Sequence, residues 1–351
     1  MKRLILIALI LVPLLNSDRA HIFHAAVKGT AIIPPLDAGS GLRHGMNLAN
    51  MLEAPTEGAW SLTVQPEYLS LIKQAGFDFV RIPIRWNAHA MQAAPYIIDP
   101  SFFARVDQVV GWAEQNDLAV ILDFHNYGEI MTNPAANEQR FLGIWKQIAQ
   151  HYRDAPPTLM FELLNEPNDL LDAPTWNNYV REALAVIRVS NPSRVVIIDS
   201  PASAYYAWIN TLEVPQDLHV MVTFHYYEPF QFTHQGADWV GVDTSSWLGT
   251  TWQGTDAEKA AIQREFDEVT GWARRQHVRI LLGEYGAYSK ADMASRIRWT
   301  SFVARTAEQH GFPWAYWEFA AGFGIYDPVA KTWRLDLLQA LIPGSPVAAA
   351  H

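Results

Sequence analysis

The sequence predicts one (β/α)8 barrel, and three observations lead there. Short apolar runs recur eight times, amphipathic stretches of helical period separate most of them, and six runs end in side chains of catalytic type. The runs are His44–Leu48, Phe77–Ile82, Ala119–Phe124, Leu159–Leu164, Val195–Ile198, Val220–Phe224, Ile280–Leu282 and Pro313–Tyr316. The helical stretches are Pro66–Ala75, Pro100–Gln115, Glu138–Tyr152, Thr175–Val189, Asp256–Gln276 and Asp292–His310. In Asp256–Gln276 the apolar residues Ala260, Ile262, Phe266, Val269 and Trp272 recur near the helical period, with Asp256 at the start as the expected cap. An open doubly wound sheet is the competing architecture. It wants a Gly-rich phosphate loop after its first strand, and Arg43-His44-Gly45-Met46-Asn47-Leu48 has none.

Composition sets the frame for these elements. The chain has 351 residues, 50% of them hydrophobic and 18% charged. A chain of this length buries about three quarters of its unfolded surface. No Pro/Ser linker divides it after the first 40 or so residues, so residues 41–342 are expected to form one catalytic domain. The net charge is −10 and no basic stripe is visible, which argues against a nucleic-acid partner. Cysteine is absent, which excludes disulfides, thiolate metal sites and a cysteine nucleophile. The 14 tryptophans offer flat faces of the kind that sugar rings stack on.

The N-terminus reads as an address. Lys2 and Arg3 precede the apolar run Leu4–Leu15, which is too short for a membrane span of about 20 residues. Residues 1–20 are expected to be a bacterial-type signal peptide, with cleavage as late as about residue 26. The mature protein is then secreted or periplasmic, free of the membrane, and expected to be a monomer. His21 and His24 fall in this processed region and are not taken as metal ligands.

The strand ends carry the chemistry. Arg81, His125, Asn165-Glu166-Pro167, His225-Tyr226-Tyr227, Glu284-Tyr285-Gly286 and Trp317-Glu318 each follow or close an apolar run. In a barrel these ends meet at one face, where barrel enzymes keep their active sites. A lone residue at such a place is as readily a buried hydrogen bonder; six at the same end are a site. Glu166 and Glu284 are its centre. Two carboxylates suit glycosidic cleavage, in which one protonates the leaving oxygen and the other attacks the anomeric carbon or activates water.

Phe161-Glu162-Leu163-Leu164-Asn165-Glu166-Pro167 resembles the Asn-Glu-Pro signature of glycoside hydrolase family 5, the endoglucanase-type family of clan A. The resemblance runs from about Gly41 to Trp317, and its elements come in the family's order. Gly45 to Asn50, Arg81-Ile82-Pro83, His125, His225-Tyr226-Tyr227, Gly283 to Gly286 and Trp317-Glu318 all take part. It implies that Glu166 is the general acid/base and Glu284 the nucleophile of a retaining reaction, with the pair about 5 Å apart. It also implies that Arg81 holds Glu284, that Tyr227 hydrogen-bonds Glu284, and that His225 contacts Glu166. Asn165 would meet the sugar 2-hydroxyl, His125 would bind the sugar, and Trp317 would be its stacking floor. Neither metal nor cofactor is implied. Asn165 and Glu166 are adjacent, so both reach the site only if the strand breaks there; Pro167 is the expected break.

Other residues remain open at this stage. Glu162 and Asp123 are expected to point into the barrel as buried hydrogen bonders. Trp60, Trp86, Trp247 and Trp252 are sugar platforms or core. The long segment Glu228 to Thr255 is read as a cleft wall, and Glu53, Glu57 and Trp60 as the distal sugar side. The expected substrate is a β-linked polysaccharide, with endo-β-1,4-glucanase activity on cellulose-type and mixed-linkage β-glucans; the loop around Glu228-Pro229-Phe230 resembles members acting on β-glucans. A β-mannanase or another β-glycan hydrolase is the alternative. A noncatalytic carbohydrate-binding barrel and a metal-dependent hydrolase using Asp123-Phe124-His125 are the readings from other classes.

Overall fold

The computed structural model describes residues 42–349. The expected signal peptide, its cleavage point, His21 and His24 lie outside them. Eight parallel strands close into a barrel in sequence order. They are β1 His44–Asn47, β2 Phe79–Ile84, β3 Ala119–Phe124, β4 Leu159–Glu162, β5 Val196–Asp199, β6 Val220–Tyr226, β7 Arg279–Tyr285 and β8 Trp314–Tyr316.

Long helices cover the outside, and their starts are set by local chemistry. Asp99, Asn133 and Asp172 each cap a helix that opens with proline near its first position: Pro100–Gln115, Pro134–His151 and Ala173–Arg188. Thr255 and Glu258 form a reciprocal capping box on Asp256–Gln276, and Asp292 caps Met293–Gln309. Pro66–Ala75 stops at Gly76, whose φ of 102° is a left-handed cap that favours glycine. One connection departs from the regular pattern, and it is one where the sequence shows no helical stretch. The β5–β6 connection has only the four-residue helix Pro201–Ala204 and a 3-10 turn over Tyr206–Thr211.

Alternation along the strands builds the interior. Phe79, Ala119, Ile121, Met160, Ile197, Met221, Leu281 and Ala315 pack together as an apolar plug. Two residues further along, the same strands supply Arg81, Asp123, Glu162, Asp199, Thr223 and Gly283. The plug therefore forms the floor on which a polar layer sits. The intervening residues, among them Val80, Leu122, Phe161, Ile198, Val222 and Leu282, face outward into the main core beneath the helices.

Candidate active site

Two departures from regular strand geometry build the site. The first is in β7. Phe224 pairs with Leu282, but His225 pairs with Glu284, so Gly283 is the extra residue of a bulge. Regular alternation would turn Glu284 outward; the bulge turns it inward beside His225. Gly283 is required there, because a side chain would run into Thr223 and His225. The second is after β4, which ends at Glu162, five residues before the expected break at Pro167. Glu166 itself has a φ of 49°, and this left-handed residue lets Asn165 and Glu166 both point to the site.

Arg81 is the hub. Its guanidinium is fully buried and donates to both carboxylate oxygens of Glu162, at 2.6 and 2.9 Å. It also donates to Asn47 Oδ1 at 2.9 Å, Asn165 Oδ1 at 2.7 Å and Glu284 Oε1 at 2.7 Å, and pairs with Asp123 at 3.0 Å. Asn47 in turn donates to the Gly283 and Tyr316 carbonyls, tying β1 to β7 and β8. A planar, permanently charged fork is suited to this set of acceptors, and the surrounding carboxylates hold its pKa high.

Glu284 receives a second hydrogen bond, from the Tyr227 hydroxyl at 2.9 Å. Glu166 Oε1 lies 2.8 Å from His225 Nδ1. One carboxylate oxygen of Glu166, one of Glu284 and a nitrogen of His225 all lie within 4.8 Å of one another. Burial raises the Glu166 carboxyl to about 7, with His125 and Arg81 working against the rise. Burial also lowers His225 and His125 to about 4 each. Both rings are therefore neutral at pH 7, and the His225–Glu166 contact is a hydrogen bond rather than an ion pair. His125 Nδ1 lies 2.6 Å from Asp123 Oδ2, and its ring stacks on Trp317 with centroids 5.6 Å apart. The Trp317–Glu318 peptide bond is cis.

The structure thus brings together all eight expected residues: Glu166, Glu284, Arg81, His125, Asn165, His225, Tyr227 and Trp317. Glu162 and Asp123 are buried hydrogen bonders, as expected. For Trp86 and Trp252 the core reading holds, and the expectations for Glu53 and Glu57 are corrected. Trp86 and Trp252 are buried core residues, packed against Phe102 and Phe302, and cannot be platforms. Glu53 is buried and accepts from the Asn50 and Met51 N–H groups, so it shapes the loop after β1 rather than facing sugar. Glu57 is committed to Arg105 through two hydrogen bonds, at 2.7 and 2.8 Å. Glu318 accepts from the Ala320, Ala321 and Phe323 N–H groups and shapes the loop after β8. Trp60 and Trp239 are exposed, at 43% and 46%. The long Glu228–Thr255 segment is stapled by buried Gln235, which binds Phe232, Gly249 and Thr250. Its Thr233 hydroxyl donates to the Tyr227 carbonyl at 2.6 Å, so the segment braces the site from behind.

Two sets of three donors converge closely enough for a metal: Glu162, Asp199 and His225, and Glu166, His225 and Glu284. Glu162 gives both oxygens to Arg81, and Glu284 divides its oxygens between Arg81 and Tyr227. A fixed guanidinium charge at this range opposes a cation, so the donor chemistry does not fit one.

Paired carboxylates at the open end of a closed barrel suit sugar-bond cleavage, and the molecule is a glycoside hydrolase. Within that class the chain belongs to the cellulase family, glycosyl hydrolase family 5, whose model matches residues 44–322. It is 34% identical to Endoglucanase H of Acetivibrio thermocellus over 89% of this chain. It is 30% identical to Endoglucanase B of Clostridium cellulovorans, covering 87% of this chain and 74% of that protein. The crystal structure of endoglucanase Cel5A from Thermotoga maritima superposes with a TM-score of 0.85 at 46% identity, covering 86% of this chain and 98% of that one. Cel5A has also been solved in complex with cellobiose and with mannotriose. The chain spans 34% of the length of Endoglucanase H and 42% of that of Cellulase/esterase CelE from the same organism.

Proposed function

We propose that this protein is a retaining endo-β-1,4-glucanase that also accepts mixed-linkage β-glucan. The observation that carries the reading is the approach of the Glu166 and Glu284 carboxylates to within 4.8 Å, one bound to His225 and the other to Arg81. A separation near 5 Å suits direct attack; an inverting pair stands about 6.5–9.5 Å apart to leave room for water.

The reaction then has two steps. Glu166, protonated below about pH 7, gives its proton to the glycosidic oxygen while Glu284 attacks the anomeric carbon. The bond to the leaving sugar breaks and a glycosyl ester forms on Glu284. Glu166, now a carboxylate, takes a proton from water as the water oxygen attacks the same carbon, and Glu284 leaves. Neutral His225 serves Glu166 in both states: its Nδ1–H donates to Oε1, which accepts in the acid as in the carboxylate and leaves the proton on the other oxygen for the glycosidic bond. Asn165 gives its Oδ1 to Arg81, which leaves its amide N–H groups for the sugar 2-hydroxyl. His125, oriented by Asp123, presents Nε2 to the sugar, and Trp317 stacks beneath it.

A second reading, β-mannanase activity, is favoured by one observation: a protein 45% identical to this one has been solved with mannotriose. Export to the periplasm or medium is part of the proposal, as is a monomeric state. Among the described residues no helix is long and apolar enough to cross a membrane.

The test is reducing-sugar release from carboxymethyl cellulose, mixed-linkage β-glucan, xyloglucan, glucomannan and galactomannan, by wild type and by Glu284→Ala. Release from the glucans that vanishes in the variant supports the reading. Release mainly from mannans favours the second reading. Loss of activity in a chelator would revive metal-dependent chemistry, and no release from any polymer would overturn both.

A further inference from the structure

The loop that carries Glu166 is held by the neighbouring strands rather than by its own. β4 has already ended; the Asn165 N–H is held by the Phe124 carbonyl of β3, and the contacts at Glu166 and Pro167 come from the end of β5 and the turn after it. The Glu166 N–H donates to Asp199 Oδ2 at 2.9 Å. The Ser203 N–H donates to the Pro167 carbonyl at 3.0 Å. Asp199 closes β5, is fully buried, and has its own carbonyl fixed by Trp176 Nε1 at 2.9 Å. The backbone just beyond it is strained: Ala202, Ser203 and Ala204 have φ values of 56°, 63° and 52°. Three consecutive non-glycine residues in the left-handed region persist only where their surroundings over-determine them, and such strain collects at functional sites. Asp199 Oδ2 also faces His225 Nε2 at 3.9 Å, across the ring whose Nδ1 meets Glu166. Asp199 therefore holds the Glu166 main chain directly and lies beside, without hydrogen-bonding, the histidine that holds its side chain.

We propose that Asp199, acting with the Ala202–Ala204 turn that holds the Pro167 carbonyl, is a positioning residue for Glu166. Its Oδ2 fixes the left-handed peptide that aims the Glu166 carboxyl at His225 and Glu284. The proposal rests on the reading of Glu166 as acid/base. Burial beside Glu162 and Asp123 pushes the Asp199 carboxyl well upward, and the hydrogen bond from the Glu166 N–H asks only for an acceptor oxygen. A neutral amide oxygen should then serve as well, and loss of the acceptor should harm proton transfer more than bond-making by Glu284.

Two substrates separate these effects. Mixed-linkage β-glucan has a sugar leaving group that needs a proton; 2,4-dinitrophenyl β-cellobioside releases a phenolate that does not. In Asp199→Ala, kcat on the glucan should fall about 100-fold with KM little changed, the scale of a misplaced catalytic group. The initial burst of dinitrophenolate should stay within about threefold of wild type. Azide should then speed turnover: it attacks the anomeric carbon of the glycosyl-enzyme without needing a base, displaces the Glu284 carboxylate and gives β-cellobiosyl azide. Asp199→Asn should hydrolyse the glucan within about threefold of wild type. If Asp199→Ala does not fold, Asp199→Ser reads the same split, because its hydroxyl is too short to reach the Glu166 N–H.

Wild-type rates in Asp199→Ala, an equal loss on both substrates, or an Asp199→Asn no better than Ala would each overturn the proposal. Glu166→Ala is the reference. If it shows the split and Asp199→Ala does not, only the positioning role falls; if Glu166→Ala lacks the split, the acid/base assignment falls and the positioning role with it.

Discussion

The lower and upper halves of the barrel interior are built from the same strands by the same alternation, yet they do opposite work. Phe79, Ile121, Met160 and Ile197 lie two residues before Arg81, Asp123, Glu162 and Asp199. The lower set packs as hydrocarbon. The upper set is a buried network in which the Arg81 guanidinium faces Asp123 and Glu162 directly and takes Glu284 from the bulged β7 as a third carboxylate. A step of one strand repeat thus separates a layer that stabilises from a layer that is costly to bury and retained for chemistry. The difference teaches that position along the strand, rather than residue burial, divides scaffold from site here.

The largest expected effect comes from the upper layer. Glu284→Ala should lower hydrolysis of β-glucan by on the order of 10⁴-fold or more while circular dichroism stays that of the wild type. Arg81→Leu should lose activity and also destabilise the fold by about 3–5 kcal/mol in urea denaturation, because Glu162 and Glu284 are left buried without their partner. A change under about 1 kcal/mol would mean the network is not held together by Arg81.

Met160→Ala sharpens the contrast from below. It should cost about 2–5 kcal/mol of stability, yet kcat should be unchanged at temperatures where the variant is folded. A large fall in kcat would join the two layers into one functional unit and break the comparison.

Proton supply gives a graded effect. Burial raises Glu166 to about 7, so its acid form is fully present well below that pH and is lost as pH rises through it. kcat/KM on β-glucan should therefore fall about tenfold per pH unit on the alkaline side, with the break near 7. His125 and His225, lowered to about 4, cannot supply that limb. A flat profile from pH 6 to 9 would contradict the assignment. The smallest effect belongs outside the barrel: Arg105→Ala should cost about 1 kcal/mol or less through its partly exposed pair with Glu57, and leave the rate alone.

Much of this was legible in the sequence because it is written in period and chemistry. β3 and the helix Asp256–Gln276 run between the residues where the apolar pattern places them, although Thr255 rather than the expected Asp256 caps the helix. The eight candidate site residues were legible as polar or aromatic side chains at the ends of apolar runs, in the order of the family they resemble. What escaped was set by tertiary context. Leu163 and Leu164 read as strand, yet β4 stops before them because the left-handed Glu166 needs a free loop. The bulge at Gly283 leaves no mark beyond one glycine. Asp199, followed by Ser200 and Pro201, reads as an ordinary turn; its hydrogen bond to Glu166 spans two strands and is invisible in either alone. Trp86 and Trp252 have the same side chain as exposed Trp60, and only packing tells core from cleft.

The most direct measurement is covalent trapping. The protein would be incubated with 2,4-dinitrophenyl 2-deoxy-2-fluoro-β-cellobioside, whose fluorine slows hydrolysis of a glycosyl-enzyme, and its peptides read by mass spectrometry. A fluorocellobiosyl ester on Glu284 is the expected result. No adduct despite turnover of the unfluorinated substrate, or an ester on another carboxylate, would contradict the two-carboxylate mechanism at its root.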